Sequence, residues 1–435
     1  MKMKRHLSII LIILGLWMCL PVSAQMHKRQ RKGKAPNVAL NIGRTVQDSL
    51  RVSYFNLGLL TNVYQLKGMG VNLISSVVQN DVSGMQLSGL ANVSGGTVSG
   101  LQLSGIANVV GYNFSGFSAT GFCNIYGHNS QGVMFGGIVN VFGSNSNGVA
   151  LSGLSNMAGG SYNGLVVSGL GNVSASDMSG VALSGLLNVS ADDLYGVQLA
   201  SLLNVVGDKA KGLQVVGLGN VSIASAGAQL AGLANIVTGK AEGFQLASFN
   251  YAEKVKGVQL GLVNYAKGNV KGIQLGLVNY TKDTASVKLG LVNISPRTRI
   301  QLILTGGNVS KFNVGVRFLN KITYTMLGAG APYLKFSDSF SGTLFYRAGL
   351  HWSPFSRFRL SGDLGYYHVE NFQNKSEKKS IPTRMYALQA RVNVEYQVSH
   401  NIGLILSGGY GFSRPYNQDR TFERKPIVEF GLVFF

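Results

Sequence analysis

The chain has 435 residues, of which 58 are glycine and 13% are charged, and its formal net charge at pH 7 is +21. Two cysteines allow at most one disulfide bond, which excludes a small scaffold held together by several disulfides. Six histidines are scattered, at positions 6, 27, 128, 351, 368 and 400, and no pair has zinc-site spacing. The composition therefore predicts no metal site and no cofactor.

Residues 1–24 have the pattern of a secretory signal peptide. Three cations lie within the first five residues, an apolar run extends from Leu7 to Leu20, and Val22-Ser23-Ala24 forms a small-residue cleavage site. The apolar run is short for a membrane-spanning helix. Cleavage would also remove Cys19, so Cys123 would be the one cysteine left in the sequence and no intramolecular disulfide could form. Export without a disulfide is typical of a bacterial envelope protein.

Residues 25–52 are predicted to form a flexible basic lead-in. Its cations are Lys28, Arg29, Arg31, Lys32, Lys34 and Arg44. Basic runs bind nucleic acid in some proteins. In an exported chain, envelope phosphates or water are the expected surroundings of such a run, so we expect no nucleic-acid partner.

Residues 53–295 are dominated by one repeated phrase. It appears as Met85-Gln86-Leu87-Ser88-Gly89-Leu90-Ala91-Asn92 and, one residue shorter, as Val258-Gln259-Leu260-Gly261-Leu262-Val263-Asn264. Its asparagine recurs every 16 residues from 92 to 220, then at 235, 250, 264, 279 and 293. A fixed period of this kind indicates a repeat architecture. The copies are rich in glycine, valine and serine and lack a helical period, which favours short strands and tight corners.

Two β arrangements explain these copies. They form either a solenoid with about 14–16 residues per coil or the strands of one large antiparallel β-barrel. The apolar positions of one copy are Val98, Leu101, Leu103, Ile106 and Val109. Their spacing breaks the alternation of a single strand at Gly100 and at Ser104-Gly105, where glycine permits a corner. This pattern favours the solenoid, while a bulge in each antiparallel strand would explain the same slip.

Two further features of the copies bear on their surroundings. The asparagine column is interpreted either as a hydrogen-bonded ladder through stacked coils or as a residue that tolerates a left-handed turn. Residues 84–176 contain no Asp, Glu, Lys or Arg. Because soluble domains carry surface charge, we expect this stretch to lie in a larger assembly or near a membrane, or to expose Ser, Asn and Gly.

Residues 299–435 are predicted to form an eight-stranded antiparallel membrane β-barrel. Apolar Leu388, Ala390 and Val392 alternate with polar Gln389 and Arg391, and similar alternation marks the other segments. Most segments have about ten residues, the length that crosses a bilayer at a tilt. They begin near Ile300, Phe312, Ile322, Leu344, Phe358, Tyr386, Ile402 and Ile427. A soluble β-sheet domain is the alternative.

The connections between these segments predict an orientation. Short ones, at 319–321, 353–357 and 399–401, alternate with long ones, at 333–341, 371–382 and 413–426. In outer-membrane barrels the short turns are periplasmic, so both barrel ends would lie on that side. The segment Val428–Phe435 resembles the terminal strand that such barrels present to the barrel-assembly machinery. It departs from that pattern because its apolar series is out of step with Phe435.

The repeated Gly-x-Gln-Leu-x-Gly-Leu-x-Asn phrase resembles surface repeat-containing proteins of Gram-negative bacteria. The resemblance covers residues 53–295 and implies a location at the cell surface rather than an activity. This location conflicts with the predicted barrel orientation, which places the repeats in the periplasm.

The sequence therefore predicts a non-enzymatic structural or surface-interaction protein of the outer membrane. Outer-membrane lipid and the assembly machinery are the expected partners, together with envelope or host glycans. We expect no catalytic residues, and Asp192-Asp193 is interpreted as a turn pair. The alternatives are a large channel built from all the strands and a carbohydrate-acting β-helix enzyme.

Overall fold

The structure, a computed structural model, describes residues 45–46, 52–282, 286–332, 334–335, 339–374, 382–417 and 421–435. The predicted signal peptide (1–24) lies outside the described residues, as does nearly all of the predicted lead-in (25–52). Within the described ranges there is no helix that could cross a membrane. These ranges form a parallel β-solenoid over residues 52–294, followed by a closed eight-stranded antiparallel β-barrel. This is the predicted fold class.

The solenoid is built from short strands that pair in parallel. They are β1 Thr45–Val46, β2 Val52–Val63, β3 Gln65–Val78, β4 Val82–Ser88, β5 Ala91–Ser94, β6 Val98–Ser104, β7 Ala107–Val110, β8 Phe114–Thr120, β9 Cys123–Tyr126, β10 Ser130–Gly136, β11 Val139–Phe142, β12 Ser146–Ser152, β13 Ser155–Ala158, β14 Tyr162–Ser168, β15 Gly171–Ser174, β16 Met178–Ser184, β17 Leu187–Ser190, β18 Leu194–Ala200, β19 Leu203–Val216, β20 Gly219–Ala231, β21 Ala234–Leu246, β22 Phe249–Ala266, β23 Val270–Thr281, β24 Val287–Leu289 and β25 Val292–Ile294.

One repeat copy forms one coil with two faces and two corners. In the coil that starts at Val98, β6 is the long face and β7 the short face. β6 pairs in parallel with β4 and β8, and β7 with β5 and β9, each in a register of 16 residues. Neighbouring copies therefore run in the same direction. The alternative of one large antiparallel barrel that includes the repeats is wrong, and with it the wide channel.

The inside of each coil is narrow. In the coil that starts at Val98, the buried side chains are those of Val98, Gln102, Asn108 and Val110. Of the apolar positions that broke the strand alternation, only Val98 is buried, and Ile106 is exposed. Most leucines and valines of the repeat thus lie on the outside, while amides fill half of the core.

The corners differ from those expected. The chain turns at Gly105-Ile106 and again at 111–113, whereas Gly100 lies within β6 with a φ of +136°. A Cβ on Gly100 would lie 1.9 Å from the carbonyl oxygen of Gly84 in the coil before. Gly100 therefore bends the long face and lets two backbones approach closely, and it does not form a corner.

The chain divides into two compact units, residues 1–243 and 244–435, and the second contains the last coils and the barrel. The barrel strands are β26 Arg299–Gly307, β27 Phe312–Leu319, β28 Thr323–Ala331, β29 Leu334–Lys335, β30 Ser339–Phe355, β31 Phe358–Asn374, β32 Arg384–Gln397, β33 Ile402–Pro415 and β34 Glu423–Phe434. Apart from the short β29, sequential strands pair antiparallel, and β26 pairs with β34 to close the barrel.

All eight predicted barrel segments are strands, and several are longer than expected. β31 continues to Asn374 and β33 to Pro415, so the predicted loops 371–382 and 413–426 were too wide. Parts of these loops and of 333–341 lie outside the described residues. The short connections, at 320–322, 356–357 and 398–401, share one end of the barrel with residues 299 and 434. This is the predicted arrangement of barrel ends and short turns.

Candidate functional site

The asparagine column is a continuous ladder inside the first unit. The side-chain amide of Asn140 donates to Oδ1 of Asn156 at 2.8 Å, and that of Asn156 donates to Asn172 at 3.0 Å. The same amides donate to the carbonyl oxygens of Leu151 and Val167, at 2.9 and 2.8 Å. No described residue other than glycine has a positive φ. The ladder interpretation is therefore confirmed, and the left-handed turn interpretation is wrong.

A second ladder, of glutamines, was missed by the sequence reasoning. Nε2 of Gln214 donates to Oε1 of Gln198 at 3.0 Å, and Gln274 donates to Gln259 at 2.8 Å in the second unit. These amides are completely buried or nearly so. The signal was available as a glutamine two residues after the repeat glycine. It is interrupted between positions 118 and 182, where Ser, Met, Ala or Val takes the place of the glutamine.

The two corners of each coil have opposite chemistry. We name the turn at Gly105-Ile106 and its equivalents the leucine corner, and the turn at 111–113 and its equivalents the polar corner. The leucine corner exposes apolar side chains in successive coils, for example Leu154, Leu170 and Leu218. The polar corner carries Asn, Ser, Asp and Lys.

A small charged cluster shows the electrostatics of the polar corner. The Asp193 carboxylate accepts hydrogen bonds from the Lys209 backbone N–H at 3.0 Å and the Tyr195 hydroxyl at 2.9 Å, and the Lys211 ammonium lies 3.8 Å away. Partial burial alone would raise the pKa of Asp193, but these donors and the nearby cation outweigh it and lower that pKa. The cluster ties two adjacent coils together at the surface, and each of its members has a structural partner.

The interior of the barrel is polar at its centre. Arg391 donates to Glu429 at 3.0 Å, and Arg347 donates to Asp363 at 2.8 Å. A third pair, between Arg317 and Glu395, is buried in the same way. An apolar cluster that includes Ile303, Met326, Phe345 and Val433 also lies inside. Side chains thus fill the interior, as expected for a barrel of eight strands.

The exterior of the barrel is an apolar belt. Outward residues on six strands are largely exposed: Ile300, Leu344, Leu350, Leu364, Val392, Leu404, Leu406, Val428 and Phe430. Leu364 is 71% exposed and Phe430 is 73% exposed. The pattern is the reverse of a soluble barrel, whose outward residues are polar.

Aromatic side chains border this belt. On β32, Tyr386 and Tyr396 both point outward and are ten residues apart. At about 3.3 Å per residue and a tilt of about 40°, that separation corresponds to a height of about 25 Å. Exposed Trp352 and Phe355 lie towards the short-turn end, and Tyr416 follows β33 at the other end.

The structure of the terminal strand, β34, explains why its apolar series is out of step with Phe435. Val428, Phe430 and Leu432 face outward, while Phe435 packs partly buried against the apolar cluster inside the barrel. The outward apolar series of β34 is therefore out of step with Phe435 because the side chain of Phe435 points into the barrel.

The described residues contain no group of three or more His, Cys, Asp or Glu side chains that could hold a metal ion. The histidines that the structure describes are far apart in the chain and belong to different strands or corners. Asp192 and Asp193 lie at the polar corner, as the turn-pair interpretation expected. The absence of enzymatic activity stays a prediction.

Comparisons with protein-family models, with curated proteins and with solved structures found no match. The fold and the two surfaces define an all-β chain in which a parallel solenoid with amide ladders precedes a small barrel with a polar interior and an apolar belt. The architecture that the sequence resemblance implied is present. Membership of the surface repeat-containing proteins stays a prediction.

Proposed function

We propose that the chain is a non-enzymatic structural or surface-interaction protein of the outer membrane, in which the barrel anchors the repeat array. The observation that carries the proposal is the inverted barrel. Buried ion pairs such as Arg391–Glu429 fill the inside, and an apolar belt about 25 Å high faces outward. In water such a belt would expose far more contiguous apolar surface than soluble proteins tolerate. In a bilayer it matches the hydrocarbon core.

The barrel acts as an anchor and not as a pore. Eight strands enclose a space that side chains fill, and the three buried arginine–carboxylate pairs occupy it here. The partners of this part of the molecule are outer-membrane lipid and, through the outward face of β34, the barrel-assembly machinery. The polar corner of the array supplies the contact surface for envelope or host glycans.

Membrane fractionation and heat-modifiable migration in SDS gels test the anchor. The folded barrel is expected in the outer-membrane fraction and to migrate faster before boiling than after it. Leu364→Arg puts a charge in the middle of the belt and is expected to cost about 2–4 kcal/mol of barrel stability in lipid. Ser399→Arg, in an exposed short turn, is the matched control and is expected to have no such effect.

Planar-bilayer recording separates the anchor from a channel. The purified chain is expected to give no single-channel conductance. Reproducible conductance steps from the heat-modifiable form would contradict the anchor, and a soluble, unmodified chain would contradict the membrane location.

A further inference from the structure

The leucine corner forms an apolar ridge along the array. In the first unit its members are Ile74, Leu90, Ile106, Phe122, Ile138, Leu154, Leu170, Leu186, Leu202, Leu218 and Leu233, and in the second unit Leu262 and Leu277. Nearly all are exposed, with Leu154 at 44% and Leu233 at 59%. On both sides of the ridge, the outward residues of the long and short faces, such as Leu101 and Val109, are mostly apolar as well.

The charges of the array avoid this ridge. Every charged residue within 52–282 belongs to the polar corner or to the outward position next to it, where Lys211 and Lys256 lie. These residues are Lys67, Asp81, Asp177, Asp192, Asp193, Asp208, Lys209, Lys211, Lys240, Glu242, Glu253, Lys254, Lys256, Lys267, Lys271 and Lys282. In the coils that carry charge, the apolar edge therefore lies opposite the charged edge, while the coils of 84–176 carry no charge at either edge. This is the charge distribution of an element that lies in a membrane interface.

The backbone at the ridge is suited to surroundings without water. The N–H of Leu154 donates to the carbonyl oxygen of Ile138 at 2.8 Å, and the N–H of Leu170 donates to Leu154 at 2.8 Å. The carbonyl oxygen of Leu151, just before the corner, accepts the ladder amide of Asn140. Hydrocarbon tolerates only backbone whose polar groups are satisfied internally. The asparagine ladder provides this directly beneath the exposed leucines.

Within the second unit, the last coil is hydrogen-bonded to the barrel wall. The Asn293 amide donates to Oγ1 of Thr325 at 2.9 Å, and the Tyr346 hydroxyl donates to the carbonyl oxygen of Gly290 at 3.1 Å. Thr325 and Tyr346 face outward, since their neighbours along the strands point into the barrel. Exposed Leu344 lies two residues before Tyr346 on the same outward face. The last coil thus packs against the barrel wall within the height of the apolar belt.

Tyrosines in the last coils extend this surface. The rings of Tyr251, Tyr265 and Tyr280 stack on the short face, with centroids 5.6 and 4.7 Å apart. Tyrosine is enriched where protein meets the membrane interface, because its ring is apolar and its hydroxyl is wet.

We propose that the leucine corner of the solenoid coils inserts into the acyl-chain region of the bilayer that holds the barrel. The occupant of the ridge is phospholipid. Lipid is favoured over a second copy because the last coil packs against the barrel at the apolar belt, and because the backbone at the corner is satisfied internally. The inference rests on the proposed membrane location of the barrel.

Lipid-quenching of a fluorescent label tests the insertion in the full chain. Leu154→Cys and Leu218→Cys are made separately in a Cys123→Ser background, labelled with an environment-sensitive dye and refolded into phosphatidylcholine vesicles. Some of the lipids carry a nitroxide midway along an acyl chain. Both labels are expected to lose as much fluorescence as a label at Leu364→Cys on the barrel belt. Ser144→Cys, at the polar corner, is the matched control and is expected to lose little.

The outcomes separate the two proposals. Quenching at Leu364 without quenching at Leu154 and Leu218 overturns the insertion and leaves the anchor intact. No quenching at Leu364 overturns the anchor and the insertion together. A pyrene label at Leu154→Cys tests for contact between two copies. Excimer emission that rises with the protein-to-lipid ratio would show that the ridge binds a second copy, and it would overturn the proposal that phospholipid is the occupant. Because each replaced leucine is exposed, folding is expected to survive, and two independent positions guard against local misfolding.

Discussion

At the scale of single residues, the asparagine column supplies donors that no apolar residue can replace. One amide group serves the next asparagine and a corner carbonyl at the same time, as Asn156 does with Asn172 and Val167. A buried polar group without a partner costs about 1–3 kcal/mol. From Asn92 to Asn293 the repeat therefore keeps asparagine in every coil, whereas Ser76 takes this position in the coil before.

Replacing Asn156 by leucine tests this dependence. The change preserves volume but leaves Asn140, Val167 and Asn172 each without one partner. We expect a loss of about 3 kcal/mol or more in local stability, measured as faster hydrogen exchange of the amides in 139–174. Asn163→Ala removes an exposed amide that pairs with Asn147 and is expected to change stability by less than about 0.5 kcal/mol. Equal effects of the two variants would show that the ladder adds nothing.

The Asp193 cluster predicts a pH dependence. Because the folded-state pKa of Asp193 is lowered, the ionised carboxylate stabilises the coil. This contribution is complete above the unfolded-state pKa near 4 and is lost as the pH falls through the lower folded-state value. We expect Asp193→Asn to lower the melting temperature at pH 7 and at pH 5, with the difference from wild type shrinking as the pH falls below the unfolded-state pKa of about 4. If the difference in melting temperature between Asp193→Asn and wild type stays constant with pH, the charge of Asp193 is not the source of the stabilisation.

At the scale of the element, the bend glycine fixes how closely coils stack. Gly148 has a φ of +118°, and a Cβ there would lie 2.1 Å from the carbonyl oxygen of Gly132. Gly148→Ala is expected to cost about 2 kcal/mol or more, seen as protease sensitivity confined to the adjacent coils, since solenoid coils contact only their neighbours. Gly219→Ala is the control, because its Cβ would lie 3.3 Å from the nearest atom and Leu203 and Ala234 occupy the equivalent positions.

The buried ion pairs of the barrel allow a double-mutant cycle. Arg391→Met leaves Glu429 buried without its cation and is expected to cost about 3–5 kcal/mol. The double variant Arg391→Met/Glu429→Leu is expected to recover most of this loss, because no uncompensated charge remains. Urea unfolding in detergent micelles, followed by heat-modifiable migration, measures each corner of the cycle. A double variant as unstable as the sum of the single ones would show that the two residues act independently.

The sequence predicted the elements because their signals are local. The 16-residue period and glycine spacing identify coils, and the period of two identifies barrel strands such as β32. The filling of a coil was not predicted. Gln102 and Asn108 are buried while Leu101 and Ile106 face outward, which inverts the usual assignment of apolar residues to the core. Only the coil-to-coil register places one amide over the next, and that register is a property of the stack, absent from any single copy.

At the scale of the whole molecule, the remaining question is which side of the membrane holds the array. The barrel ends at residues 299 and 434 share one side with the short turns. In outer-membrane barrels the short turns face the periplasm. The chain that enters the barrel at residue 299 then comes from that side, whereas the sequence resemblance implies a location of the repeats at the cell surface. The two locations predict different accessibility of residues in the array to a reagent that is added outside the cell.

Cysteine labelling of intact cells decides between them. In a Cys123→Ser background, exposed positions are replaced one at a time: Asn417 after β33, Ser399 in a short turn and Asn163 at the outward position next to the polar corner. The remaining cysteine, Cys19, lies in the predicted signal peptide. A membrane-impermeant maleimide is expected to label Asn417→Cys on intact cells, and the other two variants only after the outer membrane is permeabilised. Labelling of Asn163→Cys together with Asn417→Cys, while Ser399→Cys stays protected, would place the array outside, because the array and the short turns would then be on opposite sides of the membrane.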